Sequence, residues 1–132
     1  MKKSEVQVII PKDISSPPEP HEIEVAWILA KEYRTNVRFL KPIESYKVKT
    51  ADFVFLGELW ELKSPITKKR HRTVSRLLNK ATAQANNIVF DARRTKLEDD
   101  YLQKEILNEL RERRIIRKLI FITKDSKVIV LK

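Results

Sequence analysis

Asp52 stands nine positions ahead of the triplet Glu61-Leu62-Lys63, within the run Asp-Phe-Val-Phe-Leu-Gly-Glu-Leu-Trp-Glu-Leu-Lys at 52–63. Two carboxylates and an ammonium suit the hydrolysis of a phosphodiester. The acids would hold a hard cation, Mg²⁺ first, with Mn²⁺ or Zn²⁺ as alternatives. The cation would lower the pKa of a water and offset phosphoryl charge. Lys63 would orient or deprotonate that water, or stabilise charge in the transition state. Deprotonation needs a lowered lysine pKa, which a cation favours and carboxylates oppose, so both roles stay open.

That chemistry requires a local structure that gathers the three groups. A two-residue turn at Gly57-Glu58 pairs Leu56 with Leu59, Val54 with Glu61 and Asp52 with Lys63. Strand side chains alternate, so Phe53, Phe55, Trp60 and Leu62 take one face. Asp52, Glu61 and Lys63 take the other, with Val54, Leu56 and Leu59. Opposed Cβ atoms lie about 5 Å apart and diagonal ones roughly 7–8 Å, close enough for Asp52 and Glu61 to share one cation. The plain alternative is a set of charge pairs on an exposed strand face, which stabilise a sheet modestly. Against it, three apolar side chains share the acid face and predict partial cover, where acids need a reason.

Other polar residues point at the same region. Glu22 falls with Ala26, Leu29 and Tyr33 on the apolar side of a first helix and is a candidate third acid ligand. Its alternative role is to complement the positive helix N-terminus. Gln84 lies at the edge of the inward stripe of a second helix, where it would bond a phosphate or water, or else a strand edge. Lys68, Lys69, Arg70 and Arg72 follow the candidate strand directly. Arg76 and Lys80 continue the cluster, and Arg93 and Arg94 follow the next strand. These cations would hold a phosphate backbone with strong salt dependence; the alternative is a solvated basic helix face. His21 and His71 are too few and too separate for a zinc site. Tyr33, Tyr46 and Tyr101 form no evident stacking platform.

The elements read as mixed α/β. Glu5 to Ile10 predicts a short strand, Lys12 to Pro20 a Pro-rich extended segment, and His21 to Tyr33 a helix by its apolar period. Val37 to Leu40 is a strand, followed by the hairpin. Thr67 to Ala85 predicts a basic helix. Asn87 to Asp91 predicts a strand buried on both faces, Asp99 to Arg113 a helix, and Ile115 to Leu131 a closing hairpin turned at 124–126. The expectation is a single domain over 1–132, with residues 1–20 as an N-terminal strand and Pro-rich segment and 21–132 as the catalytic core. Its centre is a mixed sheet flanked by helices.

Composition narrows the partners. The chain has 132 residues, of which 42% are hydrophobic, and a net charge of +10. Such a charge favours a polyanionic partner. No apolar run approaches the roughly 18 residues of a membrane helix. The start Met-Lys-Lys-Ser-Glu-Val-Gln is too polar for a signal peptide. The chain has no cysteine, which excludes disulfides and thiolate metal sites.

The order of helix acid, Asp, Glu-x-Lys and helix with Gln resembles the PD-(D/E)xK nuclease superfamily. Position 51 is alanine where the superfamily name has proline. The local text His21-Glu22-Ile23-Glu24, Lys49-Thr50-Ala51-Asp52, Trp60-Glu61-Leu62-Lys63-Ser64-Pro65, Ala81 to Gln84 and Ile88 to Arg94 is similar to the C-terminal toxin domains of bacterial contact-dependent growth-inhibition proteins, over roughly residues 21–131. Members of that branch are nucleases, several of them cutting tRNA. The resemblance implies a restriction-endonuclease-like core, metal on Asp52 and Glu61, Lys63 as catalytic residue, Glu22 as helix acid and Gln84 as assistant. It implies an RNA substrate, tRNA above all, with DNA as the alternative. It also implies action in the bacterial cytoplasm and an acidic immunity protein as partner. The competing reading is a non-catalytic nucleic-acid-binding module that keeps the fold.

Overall fold

The computed structural model describes residues 5–12, 17–41 and 51–132. Tyr46, Lys49, Thr50 and residues 13–16 of the Pro-rich segment lie outside the described residues. Among the described residues seven strands form one sheet in chain order: β1 (Val8–Ile9), β2 (Val37–Phe39), β3 (Phe53–Phe55), β4 (Glu58–Lys63), β5 (Asn87–Asp91), β6 (Lys118–Ile122) and β7 (Val128–Val130). The pairs β1–β2, β4–β5 and β5–β6 are parallel; β2–β3, β3–β4 and β6–β7 are antiparallel. Strand β4 therefore lies where the antiparallel part meets the parallel part.

Among the described residues three helices cover the sheet: α1 (Pro20–Tyr33), α2 (Thr73–Thr82) and α3 (Asp99–Leu110). Every residue of β5 is buried, as a central strand covered on both faces requires. Its alternation divides the core. Val89, with Phe53, Phe55, Trp60, Leu62, Ile120 and Ile122, packs against Val25, Ala26, Leu29 and Ala30 of α1. Ile88 and Phe90, with Leu119 and Phe121, pack against Val74, Leu78 and Ala81 of α2 and Leu102 and Ile106 of α3. The aromatic face expected of the hairpin is thus the floor of the α1 layer, and Phe55 and Trp60 lie 4.5 Å apart there.

Two local readings need correction. The hairpin turns at Leu56-Gly57, one position earlier than expected, so Phe55 faces Glu58, Val54 faces Leu59 and Phe53 faces Trp60. Both turn residues are left-handed, with φ of 54° at Leu56 and 72° at Gly57. A two-residue turn of the I′ type needs that conformation at both positions and takes Gly readily at the second. The strained leucine is offset by what the register gains: Trp60 Nε1 donates to the Phe55 carbonyl at 3.2 Å, and Glu58 accepts from Asn87 Nδ2 at 2.7 Å and Lys118 Nζ at 2.5 Å. The second correction concerns α2, which begins at Thr73 rather than Thr67. The Thr67 hydroxyl accepts from the Lys69 N–H at 3.0 Å, and Arg72 is left-handed, so 67–72 is a loop tied by its own side chains.

Candidate active site

Glu61 and Lys63 leave β4 on the α2 side, level with Ile88 and Phe90 of β5. Asp52 immediately precedes β3. Its N–H donates to the Trp60 carbonyl at 3.0 Å and its Oδ2 accepts the Leu62 N–H at 2.7 Å. The Asp52 carboxylate is thereby held against the β4 backbone on either side of Glu61, where its charge acts on the Glu61 carboxyl. Lys63 Nζ lies 3.2 Å from Glu61 Oε2. The three residues converge, and the moved turn brings Asp52 level with Glu61 rather than with Lys63.

The environment of Glu61 is severe. The residue is 3% exposed, and its Oε1 is buried with no hydrogen-bond partner. Its pKa is pushed up to about 8, first by burial, then by the charge and hydrogen bond of Asp52; Lys63 opposes this in part. An unpartnered buried carboxyl oxygen costs stability unless something fills its place. Among the described residues no three His, Cys, Asp or Glu side chains converge. A cation here would therefore have two protein carboxylates and take its remaining oxygens from water or substrate. That donor set suits Mg²⁺ and lacks the nitrogen and sulfur ligands common in zinc sites.

The remaining candidates divide. Glu22 Oε1 accepts the Glu19 N–H at 2.8 Å and closes the first turn of α1. Glu22 is thus engaged in a helix cap, and among the described residues it makes no three-acid cluster with Asp52 and Glu61. Gln84 follows α2 and lines a cavity with Glu58, Leu59, Asn87 and Arg117, at the other end of β4 from Lys63. Arg93 is a further correction. It donates through Nε to Asp91 Oδ1 at 2.9 Å, through Nη1 to Glu24 at 2.9 Å and through Nη2 to the His21 carbonyl at 3.0 Å, so it ties α1 to β5. Lys68, Lys69, Arg72, Arg76, Lys80 and Arg94 are exposed. Arg70 lies 4.7 Å over the Tyr101 ring and 3.9 Å from Glu98.

Asp91 was not anticipated. Fully buried, it accepts the Ser64 hydroxyl at 2.9 Å as well as Arg93, and so pins the residue after Lys63. The signal available in the sequence was an acid ending an all-apolar strand two residues before an arginine.

Comparison with known proteins agrees with this architecture. A chain of the CdiA-CT/CdiI toxin and immunity complex from Burkholderia pseudomallei superposes with a TM-score of 0.62 at 17% identity, covering 97% of this chain and 99% of that one. At this identity the likeness is one of fold. No curated protein matches the chain. The family model of the contact-dependent growth inhibition CdiA C-terminal domain matches residues 49–128, a stretch that holds the hairpin, the acid pair, Lys63 and the basic loop. The chain therefore belongs to the CdiA C-terminal domain family of contact-dependent growth inhibition.

Proposed function

We propose that this domain is a toxin that hydrolyses nucleic-acid phosphodiesters with a divalent cation, RNA and tRNA before DNA, and that its core is of the restriction-endonuclease-like, PD-(D/E)xK kind. One observation carries the reading: Asp52 is held at the β4 backbone next to Glu61, and Lys63 Nζ lies 3.2 Å from Glu61 Oε2, with Glu61 Oε1 buried and unpartnered. Acids arranged this way hold a proton at neutral pH unless a cation takes its place. Mg²⁺ at Asp52 and Glu61 would supply Lewis acidity toward phosphoryl oxygens and a lower pKa for a water it holds. Lys63 sets its charge at the reacting phosphate and fixes the water's orientation. The position of β4 at the antiparallel-to-parallel junction fits the core, as does the exposed basic stretch from Lys68 to Lys80, which suits a phosphate backbone.

A net charge of +10 also suits an acidic immunity protein as partner, and the bacterial cytoplasm, where tRNA resides, as the site of action. Among the described residues no helix is long and apolar enough to cross a membrane.

The test is incubation of the purified domain with total tRNA, total RNA and plasmid DNA, with and without Mg²⁺, Mn²⁺ or Zn²⁺. The expected result is cleavage of RNA that requires metal and is lost in Lys63→Ala, with the variant still folded. Undiminished cleavage in excess chelator, or none of any substrate with any metal, would sink the proposal.

A further inference from the structure

A cavity of about 620 Å³ opens between the segment that follows β4 and helix α2. Pro65, Ile66 and Leu77 give it an apolar lining, and Lys69, Arg76 and Lys80 add cations. No carboxylate is among the residues that line it. A neighbouring cavity of about 520 Å³, on the α3 flank of α2, is by contrast bordered by Glu105 and Glu109. Thr73, Arg76, Leu77 and Lys80 recur at i, i+3, i+4 and i+7, one stripe of α2; Thr73 and Arg76 border both cavities, Leu77 and Lys80 the larger one. Pro65 is two residues beyond Lys63, about 7 Å of extended chain. Ile66 is 66% exposed, so core packing does not explain an isoleucine there.

We propose that this cavity takes the unpaired base of a nucleotide flanking the phosphate held at Asp52, Glu61 and Lys63, so that RNA is engaged as a single strand. The proposal rests on the nuclease reading above. Pockets for small ligands run from about 300 to 1,000 Å³, and this one falls inside that range. A duplex offers cations its phosphates and keeps its base faces stacked away. A cationic rim around an apolar floor matches a backbone together with an exposed base face, the combination by which single strands are bound. The exposed Ile66 supplies the floor, and Arg76 and Lys80 flank it with charge.

Fluorescence anisotropy with the wild-type domain in excess chelator tests this. The ligands are a labelled 12-nucleotide RNA, the same strand annealed to its complement, and the same strand with abasic sugars throughout. The single strand should bind roughly tenfold more tightly than either of the others. Ile66→Ala, at an exposed position, should remove that preference and leave duplex and abasic affinities unchanged; Arg76→Ala should weaken all three. Equal binding of single strand and duplex, or an Ile66→Ala variant that keeps the preference, would overturn the base pocket and leave hydrolysis standing. If none of the three ligands binds, the nucleic-acid reading itself falls.

Discussion

Replacing Glu61 with glutamine should stabilise the metal-free domain at neutral pH and abolish its cleavage, both for one reason. Glu61 is buried beside Ile88 and held against Asp52, so it keeps its proton up to about pH 8, against an ordinary value of 4.5. The folded state therefore binds a proton that the unfolded chain releases. This contribution is complete below about pH 4.5 and is lost as pH rises toward 8. From pH 4.5 to pH 7, at about 1.36 kcal/mol per pH unit, the native state loses roughly 3 kcal/mol. In a chain of this size that corresponds to roughly 10 °C in Tm. Glutamine carries no charge at any pH, and its amide can donate to Asp52. Thermal melts followed by circular dichroism in chelator should show the two proteins coinciding near pH 4.5. By pH 7 the wild type should melt roughly 10 °C below Glu61→Gln. Mg²⁺ should raise the wild-type Tm and leave the variant unmoved, because only the ionised acid offers a cation a second charge. Parallel stability curves for the two proteins across pH 4.5–8 would refute a raised Glu61.

Four further outcomes follow from named contacts. Glu22→Ala should cost about 1 kcal/mol in denaturant melts through the lost cap, with cleavage per folded molecule unchanged; a large loss of activity would return Glu22 to the metal site. Asp91→Asn should destabilise the domain by roughly 3–5 kcal/mol, because it leaves the Arg93 guanidinium poorly paired in a largely buried setting. Leu56→Asn creates the Asn-Gly pair that the left-handed turn favours and should stabilise by about 1 kcal/mol. Binding of RNA in chelator should weaken steeply with salt, and Lys80→Ala should lower the slope of log K against log salt by about 1; an unchanged slope would remove Lys80 from the phosphate path.

The sequence by itself determined the faces of the hairpin. A two-residue turn moved by one position shifts every cross-strand pairing by two residues, and a period of two is blind to that shift. Phe53, Phe55, Trp60 and Leu62 therefore reached the core, and Glu61 and Lys63 the opposite face, although the turn is Leu56-Gly57. The apolar periods of α1, β5 and α3 were legible for the same reason, since burial of one stripe or of a whole strand is written in the order of residues. Tertiary structure decided what local order leaves degenerate. Distant partners of Glu58, in β5 and β6, favour a register that holds a leucine in a left-handed turn. The Glu19 N–H engages Glu22 as a cap, because a helical wheel gives an inward face without saying what the side chain on it bonds. The run of β4 beneath α2 carries Gln84 to the far end of the strand from Lys63, and the convergence of Asp91, Glu24 and the His21 carbonyl turns Arg93 inward. Alternation is a property of one strand. Which charges meet, and how dry they are when they do, depends on segments many residues apart.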